Sequence, residues 1–318
     1  MWDGFGVPVG GSSLQAPKRS YSTQLRGGAS QLREAVGLYR LHSHDVSQRV
    51  AARLADMGEV ERRIALALGA PLRGKRILDV GAGQVMFHML CFGRENTVTG
   101  IDLEVVAQGL DPRAYARMWR VNGPRRTIKT VGRKLLQVDR HYRREMLQQC
   151  GLRHFPPMRV LQMDATAMSF ADAAFDVVHC SAVMPHIPDP AAALREMVRV
   201  LRPGGVAYVT FHLYTSDTGS EDPRLMREDS GLPLWPHLRP ATEGMLLRHA
   251  FLNKLRLADW QGLFSDLMPG SDMEKRGSEE EARLRAEAVR LQSEGELTTF
   301  SLEELLTRTV SVVWRKPG

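Results

Sequence analysis

Short apolar runs alternate with stretches of helical period over the middle of the chain. Arg76-Ile-Leu-Asp-Val, Val98-Thr-Gly-Ile-Asp, Met158-Arg-Val-Leu-Gln-Met, Phe175-Asp-Val-Val-His-Cys and Gly205-Val-Ala-Tyr-Val-Thr-Phe each read as a strand. Thr309-Val-Ser-Val-Val-Trp alternates as a last one. A helical pattern runs from about Val85 to Leu90. A stronger one spans Pro190 to Leu201, with Asp189 at its cap, Pro190 in its first turn and Arg202-Pro-Gly-Gly at its end. Strands that alternate with helices predict an α/β fold with a parallel sheet and right-handed crossovers.

Two regions break that rhythm. Residues 104–157 interrupt the second crossover with about three helices. Asp111-Pro112 opens the first and Asn122-Gly-Pro closes it. Ile128, Val131, Leu135 and Leu136 share one face of the next, and the third runs from about Asp139 to Cys150 before Gly151. After the fifth strand, 217–240 reads as a long loop with Pro223, Pro233, Pro236 and Pro240. Helices follow near 243–250 and 256–267, then a charged helix over 278–293. Ser301 and Glu304 form a capping box before Leu305. Ahead of the sheet, Gly, Ser and Pro make residues 1–29 a tail without fixed structure, and 30–70 is helical, with Asp45 capping Val50, Ala51, Leu54 and Met57. The expected organisation is the tail 1–29 and one domain over 30–318. That domain comprises N-terminal helices 30–70, a core 71–216 holding the insertion 104–157, and an extension 217–318.

With 43% hydrophobic and 25% charged residues, the chain has the composition of a globular protein with no apolar run long enough to span a bilayer. Cys91, Cys150 and Cys180 are widely spaced and form no C-x-x-C, which fits reduced thiols in the cytoplasm and predicts no metal. The net charge of +7 is concentrated: residues 104–159 hold thirteen Arg or Lys against four Asp or Glu, so the rest of the chain is slightly acidic. An anionic partner should therefore meet the protein at the insertion.

The chemistry begins at Asp79-Val-Gly81-Ala-Gly83-Gln. A glycine turn directly after an apolar strand lets a ligand approach the backbone closely. About twenty residues on, Asp102 ends the second strand, where a carboxylate can accept both hydroxyls of a ribose. Together with Gln162-Met-Asp164-Ala165, Phe175-Asp-Val-Val-His-Cys-Ser-Ala, Pro185-His-Ile-Pro-Asp-Pro and Glu196-Met-Val-Arg-Val-Leu-Arg-Pro-Gly-Gly, these stretches resemble the ordered motifs of the class I S-adenosylmethionine-dependent methyltransferases, near their small-molecule branch. The resemblance covers 75–213 without 104–157. It implies a Rossmann-like, mostly parallel seven-stranded sheet flanked by helices, and S-adenosyl-L-methionine as cofactor. It further implies that Gly81, Ala82 and Gly83 wrap the methionine end and that Asp79 orients the turn and helps bind the amino group. Asp102 and Leu103 would serve the ribose, Asp164 and Ala165 the adenine, and Ser181 and His186 would sit over the sulfonium. One departure is Val85, where a third glycine is often expected.

A methyl donor that is already activated asks mainly for alignment, and for a base only where the acceptor must lose a proton. His186 is the first candidate base, since imidazole titrates near neutrality, and His212 and Tyr214 are second. His179 falls inside a strand and is expected to be packed, and Asp176 to be a structural cap. The insertion reads in three ways. It is a solvated lid, a surface for an anionic small molecule, glycan or membrane, or a nucleic-acid surface. The last ranks lowest, because Tyr115, Trp119, Tyr142 and Phe155 make no stacking array. The leading expectation is methyl transfer to an oxygen of a small molecule or glycan. Methylation of RNA or DNA, or a non-catalytic cofactor-binding regulator, are the alternatives.

Overall fold

The computed structural model describes residues 46–107, 111–135, 138–226, 231–247 and 251–318. The tail 1–29, the helical stretch over 30–45 and the Asp45 cap lie outside the described residues. A seven-stranded sheet in the order β3-β2-β1-β4-β5-β7-β6 organises the chain. Its strands are β1 (Arg76–Val80), β2 (Thr97–Asp102), β3 (Arg159–Gln162), β4 (Phe175–Ser181), β5 (Leu201–His212), β6 (Asp272–Arg276) and β7 (Thr309–Arg315). The first five pair in parallel, and β7 runs antiparallel to both β5 and β6. The sheet is therefore mostly parallel, as the class I resemblance implies.

Period-two alternation sends neighbouring residues of each strand to opposite faces. Leu78, Val80, Val178, Cys180 and Val209 pack on one side with α6 (Pro190–Val200) and α7 (Leu257–Leu267), where Phe211, Trp260 and Phe264 stack. Ile77, Val177 and Tyr208 face α1 (Val46–Leu68) and α2 (Phe87–Phe92) on the other. In α1 the buried positions Val50, Met57, Ile64 and Leu68 recur at helical spacing and form the stripe that meets the sheet. Fully burying one such side chain contributes about 1.5–3 kcal/mol, so the two faces together hold most of the folding energy.

Local signals set the element ends. Asp189 accepts from the Ala192 N–H at 2.9 Å and Ser301 caps α9 (Leu302–Leu306). Asp176 is the structural anchor that its position suggests. It accepts from the Arg76 N–H at 2.8 Å and from the Arg202 guanidinium at 2.5 Å, tying β1, β4 and the start of β5. Burial would raise its pKa, but those hydrogen bonds and charges prevail and hold it below the usual carboxylate range. The strand with no signal in the sequence is β6. Asp-Met-Glu-Lys-Arg has no apolar alternation, because it is an edge whose charges pair with Arg63 of α1 and Glu303 of α9. Near 243–250 a short 3-10 turn covers Glu243–Met245, while 248–250 lie outside the described residues.

Residues 104–157 divide into two parts with different duties. The helix α5 (Val138–Gln149) lies against α1: Met146 is buried in the sheet-facing core, and Arg53 donates to the Tyr142 hydroxyl at 2.9 Å. It is the crossover that returns the chain to β3. The preceding pair, α3 (Pro112–Val121) and α4 (Pro124–Leu135), forms an appended hairpin with its own small core of Val105, Ala107 and Met118. Asn122 anchors it by bonding both the N–H and the carbonyl of Val105, at 2.8 and 3.0 Å, and Lys134 Nζ reaches the Ala107 carbonyl at 2.6 Å. Among the described residues, no helix is long and apolar enough to cross a membrane.

Candidate functional site

A cavity of about 240 Å³ opens at the C-terminal ends of β1, β2 and β4. The turn after β1 forms its floor. Gly81 and Gly83 hold φ of +79° and +63°, a region that side chains with a Cβ rarely occupy. A Cβ on Gly81 would fall 2.1 Å from Val183 Cγ2, so the turn can lie this close to the loop after β4 only with glycine there. The N–H groups of Gly81 and Ala82 both donate to the Ile101 carbonyl, at 2.8 and 3.0 Å, which folds the turn over β2.

Asp102 stands beside that turn, accepting from the Gly83 N–H at 2.9 Å and the Glu104 N–H at 2.8 Å. Burial raises its pKa against the lowering effect of those two donors. Each carboxylate oxygen keeps a second lone pair with which to accept from a diol. Asp164 is braced by the N–H and hydroxyl of Thr166 at 2.9 and 2.8 Å. Gly81, Gly83, Asp102, Leu103, Asp164, Ala165, Ser181 and His186 all line the cavity, so these expected site residues converge on one space.

The remaining expected residues do not line it. Ala82 is buried beneath the turn, its role confined to the backbone N–H. His212 lies opposite Thr309 in the β5–β7 ladder with a 3.5 Å side-chain contact to it, and Tyr214 packs edge-on to His237 under Lys254. Asp79 lies behind the turn, on the face opposite Val80. There its Oδ1 accepts from His179 Nδ1 at 2.7 Å, and its Oδ2 is buried with no partner. Of the two expected duties of Asp79, orienting the turn and helping to bind the amino group, its place directly before the turn and its bond to β4 suit the first. His179 is packed, as its place inside a strand suggests, with Tyr208 stacked on it and Phe92 against its edge. Although no metal was expected, Asp79, His88 and His179 each offer one ligand atom within 4.8 Å of the others. Asp79 Oδ1 and His179 Nδ1 already meet each other at 2.7 Å.

Several cavity residues carry no signal in local sequence. Gln84, Glu104, Arg126, Ala182 and Val183 complete the walls. Arg126 comes from α4 and pairs with the nearly buried Glu104 at 2.9 Å, so the appended hairpin supplies part of the cavity. At the far end, His186 Nδ1 donates to the Phe251 carbonyl at 2.9 Å and its Nε2 lies 3.2 Å from Glu221 Oε2. Burial alone would lower the His186 pKa. The hydrogen bond and charge of Glu221, with the Phe251 carbonyl, outweigh it and raise the pKa above its ordinary value. Glu221 could not be found from spacing, because it reaches the site from a loop 35 residues beyond its partner.

The methyltransferase domain family matches residues 124–209, which hold α4 through most of β5. That match combines with the sheet order and with a glycine turn and two strand-end carboxylates around one cavity. The chain carries a methyltransferase domain with the sheet and cavity of the class I S-adenosylmethionine-dependent fold. Among curated relatives, it is 28% identical over 149 residues to a ubiquinone biosynthesis O-methyltransferase of Pseudomonas entomophila (strain L48), covering 47% of each chain. It is 27% identical over 137 residues to the enzyme of that name in Paracidovorax citrulli (strain AAC00-1), covering 43% of each. The chain thus spans less than half the length of these relatives. A solved phosphoethanolamine N-methyltransferase 2 of Haemonchus contortus aligns at 16% identity with a TM-score of 0.44, covering 82% of this chain and 53% of that one. The residues present suit that fold's cofactor: the positive-φ turn at Gly81 and Gly83 and the carboxylates of Asp102 and Asp164 line one cavity, as an adenosyl-amino acid requires.

Proposed function

We propose that the protein transfers a methyl group to an oxygen of a small molecule or glycan, with His186 as the proton acceptor. One observation carries this reading. A single cavity is lined by the glycine turn, Asp102 and Asp164 together with His186, which faces Glu221. The O-methyltransferase names of the curated relatives support an oxygen acceptor. When bound, S-adenosylmethionine supplies a methyl group already activated on sulfur.

The chain's own residues then have limited tasks. The turn backbone at Gly81 and Gly83 binds the amino-acid end, Asp102 holds the ribose hydroxyls, and Asp164 with Ala165 fixes the adenine. Ser181 and Val183 close the wall toward the acceptor and exclude water. His186 keeps Nδ1–H on the Phe251 carbonyl and faces Glu221 through Nε2, so the acceptor hydroxyl enters beside that pair, passes its proton to Nε2, and Glu221 stabilises the resulting imidazolium. Asp102→Ala should weaken cofactor binding by about 1–3 kcal/mol, the cost of losing hydrogen bonds to a charged group. Unchanged affinity by calorimetric titration would remove Asp102 from the site. Incubating labelled cofactor with native lysate, then separating glycan, lipid, RNA and protein, identifies the acceptor. Label in RNA alone would refute the small-molecule reading.

A further inference from the structure

We infer that the outer surface of the α3–α4 hairpin docks on an anionic lipid bilayer. Of the four tryptophans among the described residues, Trp235, Trp260 and Trp314 are buried, while Trp119 on α3 is 50% exposed. Val121 at the end of the same helix is 45% exposed, and Ile128 in the second turn of α4 is 61% exposed. These three large apolar side chains flank the turn at Asn122-Gly123, on a hairpin whose inner side is already fixed by Met118, Asn122 and Arg126. Arg113, Arg117 and Arg120 are exposed on α3 beside them.

The arginines of α8 (Glu281–Ser293) provide the contrast. There Arg283, Arg285 and Arg290 each pair with a glutamate one turn away, so that helix neutralises its own surface. On α3, Arg117 holds only the neutral Gln162 amide oxygen at 2.8 Å, and among the described residues Arg113 and Arg120 form no ion pair. Uncompensated guanidinium groups around exposed Trp, Val and Ile match a headgroup layer, where indole lies at the boundary and arginine meets phosphate.

Two other occupants fit less well. RNA would want a row of faces to stack on, but Tyr115 lies under Lys134 and Tyr142 is bonded to Arg53, so Trp119 stands alone. A second copy meeting about a two-fold axis would bring the same unpaired arginines together. Arg126 lines the cofactor cavity from the same hairpin, so docking there would present the cavity next to the lipid surface.

The test uses the full chain with vesicles of phosphatidylcholine alone or of an equimolar phosphatidylcholine–phosphatidylglycerol mixture. Flotation with the mixed vesicles only, lost as salt rises, and a blue shift of tryptophan emission are expected. Arg113→Glu with Arg120→Glu should lower the partition coefficient by roughly tenfold or more. Trp119→Phe should remove the emission shift, and Arg285→Glu on α8 should change neither. Cofactor titration and circular dichroism report that each variant is folded. No flotation at low salt, equal binding to neutral vesicles, undiminished binding of the α3 double variant, or binding of RNA without binding of vesicles would each overturn the inference.

Discussion

Two histidine clusters lie on either side of the glycine turn and differ in almost every physical respect. In front, His186 meets the Glu221 carboxylate and a backbone carbonyl at the edge of the cavity, and its pKa is raised. Behind, His88 packs on His179, whose partner is Asp79, under Phe87, Phe92 and Tyr208. Burial and the neighbouring His179 lower the His88 pKa to about 3, with Arg53 adding a smaller push and Asp79 opposing it. The same side chain lines a cavity beside a carboxylate in one cluster and is packed among aromatic walls in the other. Residue type alone assigns neither role.

The contrast can be broken most sharply at His186. His186→Ala should slow methyl transfer by roughly a hundredfold or more, with cofactor affinity and unfolding midpoint nearly intact. A small change in rate would move His186 to the packing class as well. The reverse pattern is expected at Asp79. Its alanine variant leaves His179 Nδ1 buried without an acceptor, at about 1–3 kcal/mol of stability in a denaturant titration, while Asp79→Asn retains an acceptor and loses less. A full loss of turnover in folded Asp79→Asn would place Asp79 in the chemistry after all.

Acidity separates the clusters next. The His88 pKa is depressed on folding, so the unfolded chain takes up the proton first. Stability should therefore fall as pH drops from about 6.5 toward 3, and His88→Phe should flatten that limb. The His186 pKa is raised, so its contribution is complete below about 6.5 and is lost as pH rises through the raised value. The smallest effect expected is that of Glu221→Gln, a few-fold in rate, with the acidic limb of the activity profile moving to lower pH. A profile that stays in place would show that Glu221 does not set the His186 pKa.

What was legible in the sequence follows from what is local. Strands β1, β2, β4, β5 and β7 carry apolar runs because both sheet faces are covered, and the turn glycines and Asp102 lie where strand ends meet a ligand. The edge strand β6 was illegible because its stability comes from one neighbour and from charges on α1 and α9. The crossover role of α5 was hidden among basic residues, since among its described side chains Met146 is the one that is fully buried. The partner of Asp79 was not legible, because it is His179 on the neighbouring strand, a hundred residues away. Glu221 and Arg126 join the site through tertiary contacts that no spacing reveals.

The 2.6 Å bond from Lys134 to the Ala107 carbonyl brings together two points 27 residues apart, where the α3–α4 hairpin leaves and rejoins the body. A piece tied at its base in this way can be exchanged for a connector at an entropic cost that grows only slowly with loop length. The hairpin is in that sense a removable attachment: apart from Arg126, the cofactor machinery is assembled without it. A scaffold with such a joint can acquire a new place of work while its reaction stays the same.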